Sequence, residues 1–595
     1  MNRADRSAGV WRGHQAWAAV VVIAVMLVWR ALLMRDSYFN QDDFFITARA
    51  AQEDLTWAYL FEPIAGHVIP AQMLNFWMVG NLAPFRWGVV AAEAVALQLI
   101  ATVLMWHLLT RLLPGRWVRV LLLAVFAWTP LTLVTTLWWA AAIGLWPHLI
   151  FSILAMLLLT RAVQGAGRSW LNQLGCVLCL WAGLAWHERA VLIAPVLLAL
   201  ALALADDAAG WRRVPATLRR FVWLWVALAA SLVTYLVVHT RITTVEGGTG
   251  SLTESLHITW EFIARNIVPG MLSGPWQAEL RGGAVVPAHW VTAVSLVLAV
   301  LILAVLLRRG GPARWWALVL VVGYVGADLA LVLAGRGGFG HLIGLDPRYS
   351  SDVPHVVVPA VALMLRQARP GLGLGLAALQ THRRRVVTIG ILTGTYLVGS
   401  AFGTAALVPH FQNVGDREFV TTFRAELARD PNQVVWDALV PPELVLPLVG
   451  EDARLSAVFA PLPESPVFDE PTARLRLVDE EGRLHPVELD GSIPVPEGPV
   501  PDCGYAVTDA GVRLPFALPV SGRLLVNMGY FSNGESTVTL SAGDWSTSFL
   551  ARPGPNEIWV PVPDLDEEFR ALRLRADGGA TVCVTRAAAG RPEIR

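Results

Sequence analysis

Apolar stretches long enough to cross a bilayer constrain this chain more than any other feature. A spanning helix needs about 20 predominantly apolar residues. Eleven segments approach that length: 16–34, 87–109, 117–135, 145–160, 170–186, 190–205, 221–239, 289–307, 314–334, 353–367 and 386–407. Several hold only 15–17 residues, the short limit for a span. Composition agrees: 55% of the 595 residues are hydrophobic and 15% charged, where soluble domains run near a quarter charged. The class is a polytopic α-helical membrane protein. Basic and acidic residues balance at 46 each and every basic side chain is arginine, so no bulk charge points to nucleic acid. Pro130 and Pro147 flank the stretch TTLWWAAAIGLW, which reads either as part of two spans or as a Trp-rich re-entrant or interfacial segment.

Arginine placement suggests an orientation. Arg3, Arg6 and Arg12 precede the first span, and no cleavable signal peptide is evident. With the N-terminus inside, the inner turns hold Arg111, Arg116, Arg119, Arg161, Arg168, Arg212, Arg213, Arg219, Arg220, Arg308, Arg309, Arg314, Arg366, Arg369 and Arg383 to Arg385. The opposite loops hold fewer for their length, which is the positive-inside pattern. An odd number of spans then puts the C-terminal third outside the cytoplasm, in a plasma membrane protein. The long loops 35–86, 240–288 and 335–352 all fall on that outer side, where they can build one site together.

From 408 the composition turns soluble. Residues 415–429 read as an amphipathic helix and 434–440 as a buried strand, within a small α/β linker region spanning 408–500. Residues 501–595 show short alternating runs broken by turn residues, the mark of an antiparallel β-sandwich or jelly roll. Cys503 and Cys583 lie in this region and, if exported, can form a disulfide. Closing a loop of that length is worth on the order of 4 kcal/mol in the chain-entropy model. Cys176 and Cys179 have a CxxC spacing, but no other Cys or His is near, and core packing accounts for them better than redox or zinc chemistry.

Four groups of residues can carry chemistry. Asp42 and Asp43 follow the first span, with Glu53, Asp54, Glu62 and His67 on the same loop. A carboxylate there can accept a proton from an incoming hydroxyl, and a pair can hold a divalent cation such as Mg, Mn or Ca; an ordinary helix N-cap is the bland alternative. Phe44, Ala48, Ala51 and Leu55 predict an apolar stripe on a helix along the bilayer surface. Arg348 and Tyr349 form the second group: a guanidinium suited to gripping phosphate, or an interfacial anchor. His187, Glu188 and Arg189 form the third, read as a solvated turn or part of a polar pocket. Trp138, Trp139, Trp146 and Trp276 form the fourth, able to stack on sugar rings or to sit at the interface. Glu93 and Asp328 fall within spans, where acids mark a pathway or an internal partner.

Together these features resemble the GT-C superfamily of membrane glycosyltransferases. The acidic motif soon after the first span is Asn40-Gln41-Asp42-Asp43. A later H-x-x-P-like stretch is Gly66-His67-Val68-Ile69-Pro70, and an Arg-Tyr pair, Arg348-Tyr349, runs into a span containing Pro354 and Pro359. The β-region is similar in placement to the carbohydrate-binding modules of mycobacterial-type arabinosyltransferases. The resemblance implies an inverting enzyme that takes a sugar from a polyprenyl-phosphate donor on the outer face and passes it to a cell-envelope glycan, glycolipid or protein acceptor. It implies Asp42 and Asp43 as the catalytic acidic positions, and Arg348 with Tyr349 at the donor phosphate. His67, Glu188, Arg189, Trp139 and Trp276 are then expected to line the pocket. The superfamily motif is commonly Asp-Glu or Asp-x-Asp, so the Asp-Asp pair leaves open which residue is the base and whether a metal is held. Two alternatives are a transporter or flippase of lipid-linked precursors, with Glu93, Glu188 and Asp328 along its path, and a non-catalytic membrane anchor for a sugar-binding domain. The expected layout is 1–407 for the membrane part, then the linker region and the sandwich.

Overall fold

All eleven apolar segments are helices in the computed structural model, which describes residues 13–64, 66–205, 210–243, 250–367, 382–565 and 568–595. Arg3, Arg6, Arg12 and Arg369 lie outside the described residues. Among the described residues, eight helices are long and apolar enough to cross a membrane: His14–Arg35, Trp87–Leu112, Val118–Leu137, Trp139–Val163, Val222–Ile242, His289–Arg309, Arg314–Phe339 and Val386–His410. The other three segments are helices Ser169–Trp186, Ile193–Leu204 and Pro354–Arg366.

The chain divides into two compact units, one of Met1–Asp43 with Glu53–Asn413, the other of Phe44–Gln52 with Val414–Arg595. Within the first unit, Val118–Leu137 and Trp139–Val163 are largely interior, while only 17% of the apolar window of Val222–Ile242, His289–Arg309 or Val386–His410 is buried. Exposed apolar flanks on helices of this length suit contact with lipid chains. The Trp-rich stretch between Pro130 and Pro147 is helical on both sides of a turn. Pro130 breaks the first of the two inner helices, Trp138 turns the chain, and the second helix runs through Pro147. Trp139 and Trp146 are wholly buried because both helices are interior. Cys176 and Cys179 are buried free thiols within Ser169–Trp186.

The three long loops are structured. The first contains helices Asp42–Gln52, Trp57–Leu60 and Pro70–Leu82. Its expected apolar stripe is cut short: the helix ends at Gln52, and Leu55 lies beyond it, exposed. The second holds helix Leu252–Trp260, a π-helical stretch Glu261–Ile267 and a hairpin pairing Ala278–Arg281 with Ala284–Pro287. The third is three short 3-10 turns, Gly337–Phe339, His341–Leu345 and Pro347–Tyr349.

In the second unit the helix Val414–Arg429 falls where the periodicity predicts it. Four antiparallel strands, in the order Trp545–Ala551, Ser536–Ala542, Phe569–Ala576 and Val512–Val520, make one sheet. The other sheet is built on Gly554–Val562, Leu524–Ser532, Val582–Ile594 and Leu484–Pro494, and continues through Leu475–Val478 and Val434–Val435. The expected boundary at 500 is therefore absent: strands from 408–500 and 501–595 share one sheet. Alternate residues such as Val526, Val538, Val560, Leu572 and Val582 are fully buried and form the sandwich core, as period-two patterning requires. The chain crosses between the sheets at Asn533–Gly534. Cys503 and Cys583 form a disulfide.

Candidate active site

Asp42 and Asp43 are neighbours with different surroundings. Gln41 adopts a positive φ of 22°, and the helix begins with the two acids in its first turn. Asp43 is fully buried. Its carboxylate accepts the Asn40 N–H at 2.9 Å and the Ala140 N–H at 2.7 Å. It thus ties the loop to the start of helix Trp139–Val163, where free N–H groups favour an acceptor. Burial pushes its carboxyl up to about 8, against the pull of those hydrogen bonds. Asp42 is only half-buried. Burial raises its carboxyl above the usual range, and the guanidinium groups of Arg348 and Arg336 draw it back down. Of the two acids Asp42 is the partly exposed one, and Asp43 is the one that ties the loop to Ala140.

Arg348 is not the lone cation that the sequence suggests. Asp346 caps its turn by accepting the Arg348 N–H at 2.9 Å, and grips its guanidinium at 2.9 Å from Nε and 2.6 Å from Nη2. The guanidinium also lies 4.0 Å from the centroid of the Trp138 ring. Burial would lower its pKa, but Asp346 more than offsets this and keeps the group charged. Tyr349 is half-buried, with its ring 5.6 Å from the Arg189 guanidinium.

His67 sits in a tight turn that Gly66 permits with a φ of 81°. Its backbone exchanges hydrogen bonds with Ile64 at 2.9 and 3.0 Å. One ring nitrogen lies 2.9 Å from Glu188 and the other 3.5 Å from Arg336. Glu188 also faces His239 at 3.6 Å. Burial alone would raise the Glu188 carboxyl, but the neighbouring His239 and His67 hold it below the ordinary range. A linked line therefore runs from Glu188 through His67 to Arg336, whose charge reaches Asp42.

Three expected pocket residues stand elsewhere. Trp139 is fully buried, donates to Glu93 at 3.1 Å and packs edge-on against Phe76, so no ring face is open to a sugar. Arg189 is buried, 3.4 Å from Asp328 and 3.3 Å from Asp352, and donates to the Tyr349 carbonyl at 2.9 Å. It is an internal tie, not a pocket wall. Trp276 stacks against Trp290 at 6.1 Å and donates to Ser273. Glu93 is held by Asn75 and Trp139, and Asp328 by Arg189. Sequence reasoning missed Arg336, which reads as an ordinary cation at a helix C-terminus. It also missed Asp352 and Asn266, whose partners lie far away in the chain.

The donor set does not fit a protein-built metal cage. Among the described residues no group of three or more His, Cys, Asp or Glu side chains could hold a metal ion. Asp43 spends both carboxylate oxygens on backbone N–H groups, and the charges acting on Asp42 include two guanidinium groups.

No protein-family model matches the chain, and no curated protein matches it. Among solved structures it is similar to the arabinofuranosyltransferase AftD from Mycobacteria, in the R1389S mutant, at 11% identity and a TM-score of 0.35; the match covers 96% of this chain and 61% of that one. It is also similar to ArnT from Cupriavidus metallidurans bound to undecaprenyl phosphate, at 12% identity and a TM-score of 0.43, covering 79% of this chain and 94% of that one. The apo form of ArnT gives 12% identity and a TM-score of 0.41 over 78% of this chain and 93% of that one. The chain thus spans about three-fifths of the length of AftD.

Proposed function

We propose that this protein is an inverting glycosyltransferase that moves a sugar from a polyprenyl-phosphate donor to a cell-envelope glycan, glycolipid or protein acceptor on the extracytoplasmic side of the plasma membrane. The observation that carries the reading is the half-buried Asp42, raised by burial and facing the charges of Arg348 and Arg336. An acid in that setting serves as a general base nearer neutral pH than a free carboxylate would. The acceptor hydroxyl gives its proton to Asp42. Its oxygen attacks the anomeric carbon from the face opposite the phosphate. The bond from that carbon to the phosphate oxygen breaks, and the lipid phosphate leaves with the electron pair. Arg348 and Arg336 stabilise the charge that develops there. The membrane unit brings a lipid-borne donor to the site.

The test uses purified protein reconstituted with polyprenyl-phosphate sugars, following release of polyprenyl phosphate. Asp42→Asn is expected to slow transfer by about a hundredfold or more, while the protein remains folded in the membrane. An unchanged rate in that variant would sink the base assignment.

A further inference from the structure

The turn that carries Arg348 is held at both ends. Asn266 is buried and sits in the π-helical stretch Glu261–Ile267, between helices Leu252–Trp260 and Val268–Met271. π turns are rare and frequently mark functional sites. Here Asn266 Nδ2 donates to the Gly344 carbonyl at 3.0 Å and the Asp346 carbonyl at 3.3 Å. Gly344 permits this close approach: a Cβ there would lie 2.6 Å from the Ile258 carbonyl oxygen and 3.0 Å from the Phe262 nitrogen. At the other end Arg189 donates to the Tyr349 carbonyl at 2.9 Å. Its guanidinium is fixed in turn by Asp328 and Asp352, and Asp352 accepts the Tyr324 hydroxyl at 2.7 Å.

We infer that Asn266 and Arg189 are positioning residues that clamp the Asp346–Tyr349 turn from its two ends, fixing the Arg348 guanidinium and so the grip of the site on a lipid phosphate. This inference rests on the transfer chemistry proposed above. A guanidinium on a loose turn must be ordered at each binding event, and one on a clamped turn is already in place. Neither side chain needs to touch the donor.

The test measures binding of undecaprenyl phosphate to the full-length protein in lipid nanodiscs. Arg348→Ala is expected to weaken binding by about a hundredfold, and Asn266→Ala by about tenfold. The double variant should bind no more weakly than Arg348→Ala alone, because the clamp acts only through that side chain. A residue that merely stabilised the fold would not show this non-additivity. Gly344→Ala, which displaces the turn without deleting a donor, should give the same pattern, each variant being measured well below its unfolding temperature. Unchanged binding in both Asn266→Ala and Gly344→Ala, or additive losses in the double variant, overturns the clamp and leaves the transfer reading standing. If the unmutated protein does not bind the lipid, or Arg348→Ala does not weaken it, the transfer reading falls and the clamp with it.

Discussion

The two units bury different things. The membrane unit encloses charged and polar side chains: Arg189, Asp328 and Asp352 lie among its helices with Tyr324, His148, Ser152 and His355. The interior of the sandwich is aliphatic and aromatic, with Val526, Val538, Val560, Leu572 and Leu574 fully buried. The difference follows from the solvent each unit faces. Water drives apolar side chains together and makes alternation along strands sufficient for a core. Lipid chains are as apolar as leucine, so helices in a bilayer gain little from hydrophobic burial. Close packing and internal polar contacts then specify the arrangement, as where a Cβ on Gly175 would come within 2.7 Å of Leu158.

The sharpest way to break this contrast is to remove the charge at the centre of the polar interior. Arg189→Met leaves Asp328 and Asp352 uncompensated, and is expected to cost about 3–5 kcal/mol, read as a large loss of folded protein in detergent. A wild-type thermal transition would show that the network does not hold the helices. A smaller effect is expected on the other side of the comparison. Cys503→Ser with Cys583→Ser removes a bridge across a separation of 80 residues, at a cost of about 2–5 kcal/mol. Its cross-link lies within the second unit, so protease resistance should fall in 414–595 and not in the membrane helices.

The smallest expected effect is a shift in a pH profile. Burial raises Asp42, while Arg348 and Arg336 lower it. The base must be deprotonated, so transfer is lost as pH falls through a value above the ordinary carboxylate range. Removing a cation favours the protonated form, so residual transfer in Arg348→Ala should have its acid limb displaced to still higher pH. A displacement to lower pH would show that the guanidinium does not act on this carboxyl.

Much of the fold was legible because it depends on local pattern. Runs of apolar residues declare helices without reference to any partner, and the strands of the sandwich and the helix Val414–Arg429 declare themselves by periodicity. What was not legible is pairing. Nothing near Arg336 in the sequence announces His67, 269 positions away, and nothing near Arg189 announces Asp352, 163 positions away. Tryptophan misled for a related reason: the residue type suits an interface, a sugar or a core equally, and only the interior position of its helix assigns Trp139 to the last. Asp42 and Arg348 each stand beside a short local motif that draws attention to them, whereas the difference between Asp42 and Asp43 is hidden in the sequence because the N–H group of Ala140 makes it.

The grip of Asp346 on Arg348 has a consequence for turnover. A bare guanidinium at a membrane edge would collect chloride or inorganic phosphate between visits. Here any such visitor must first displace a two-pronged carboxylate, which a small, well-hydrated ion does poorly. In the transfer reaction proposed above, the same carboxylate would compete with the spent lipid phosphate for the guanidinium, so that the phosphate would leave by exchange instead of by unassisted departure.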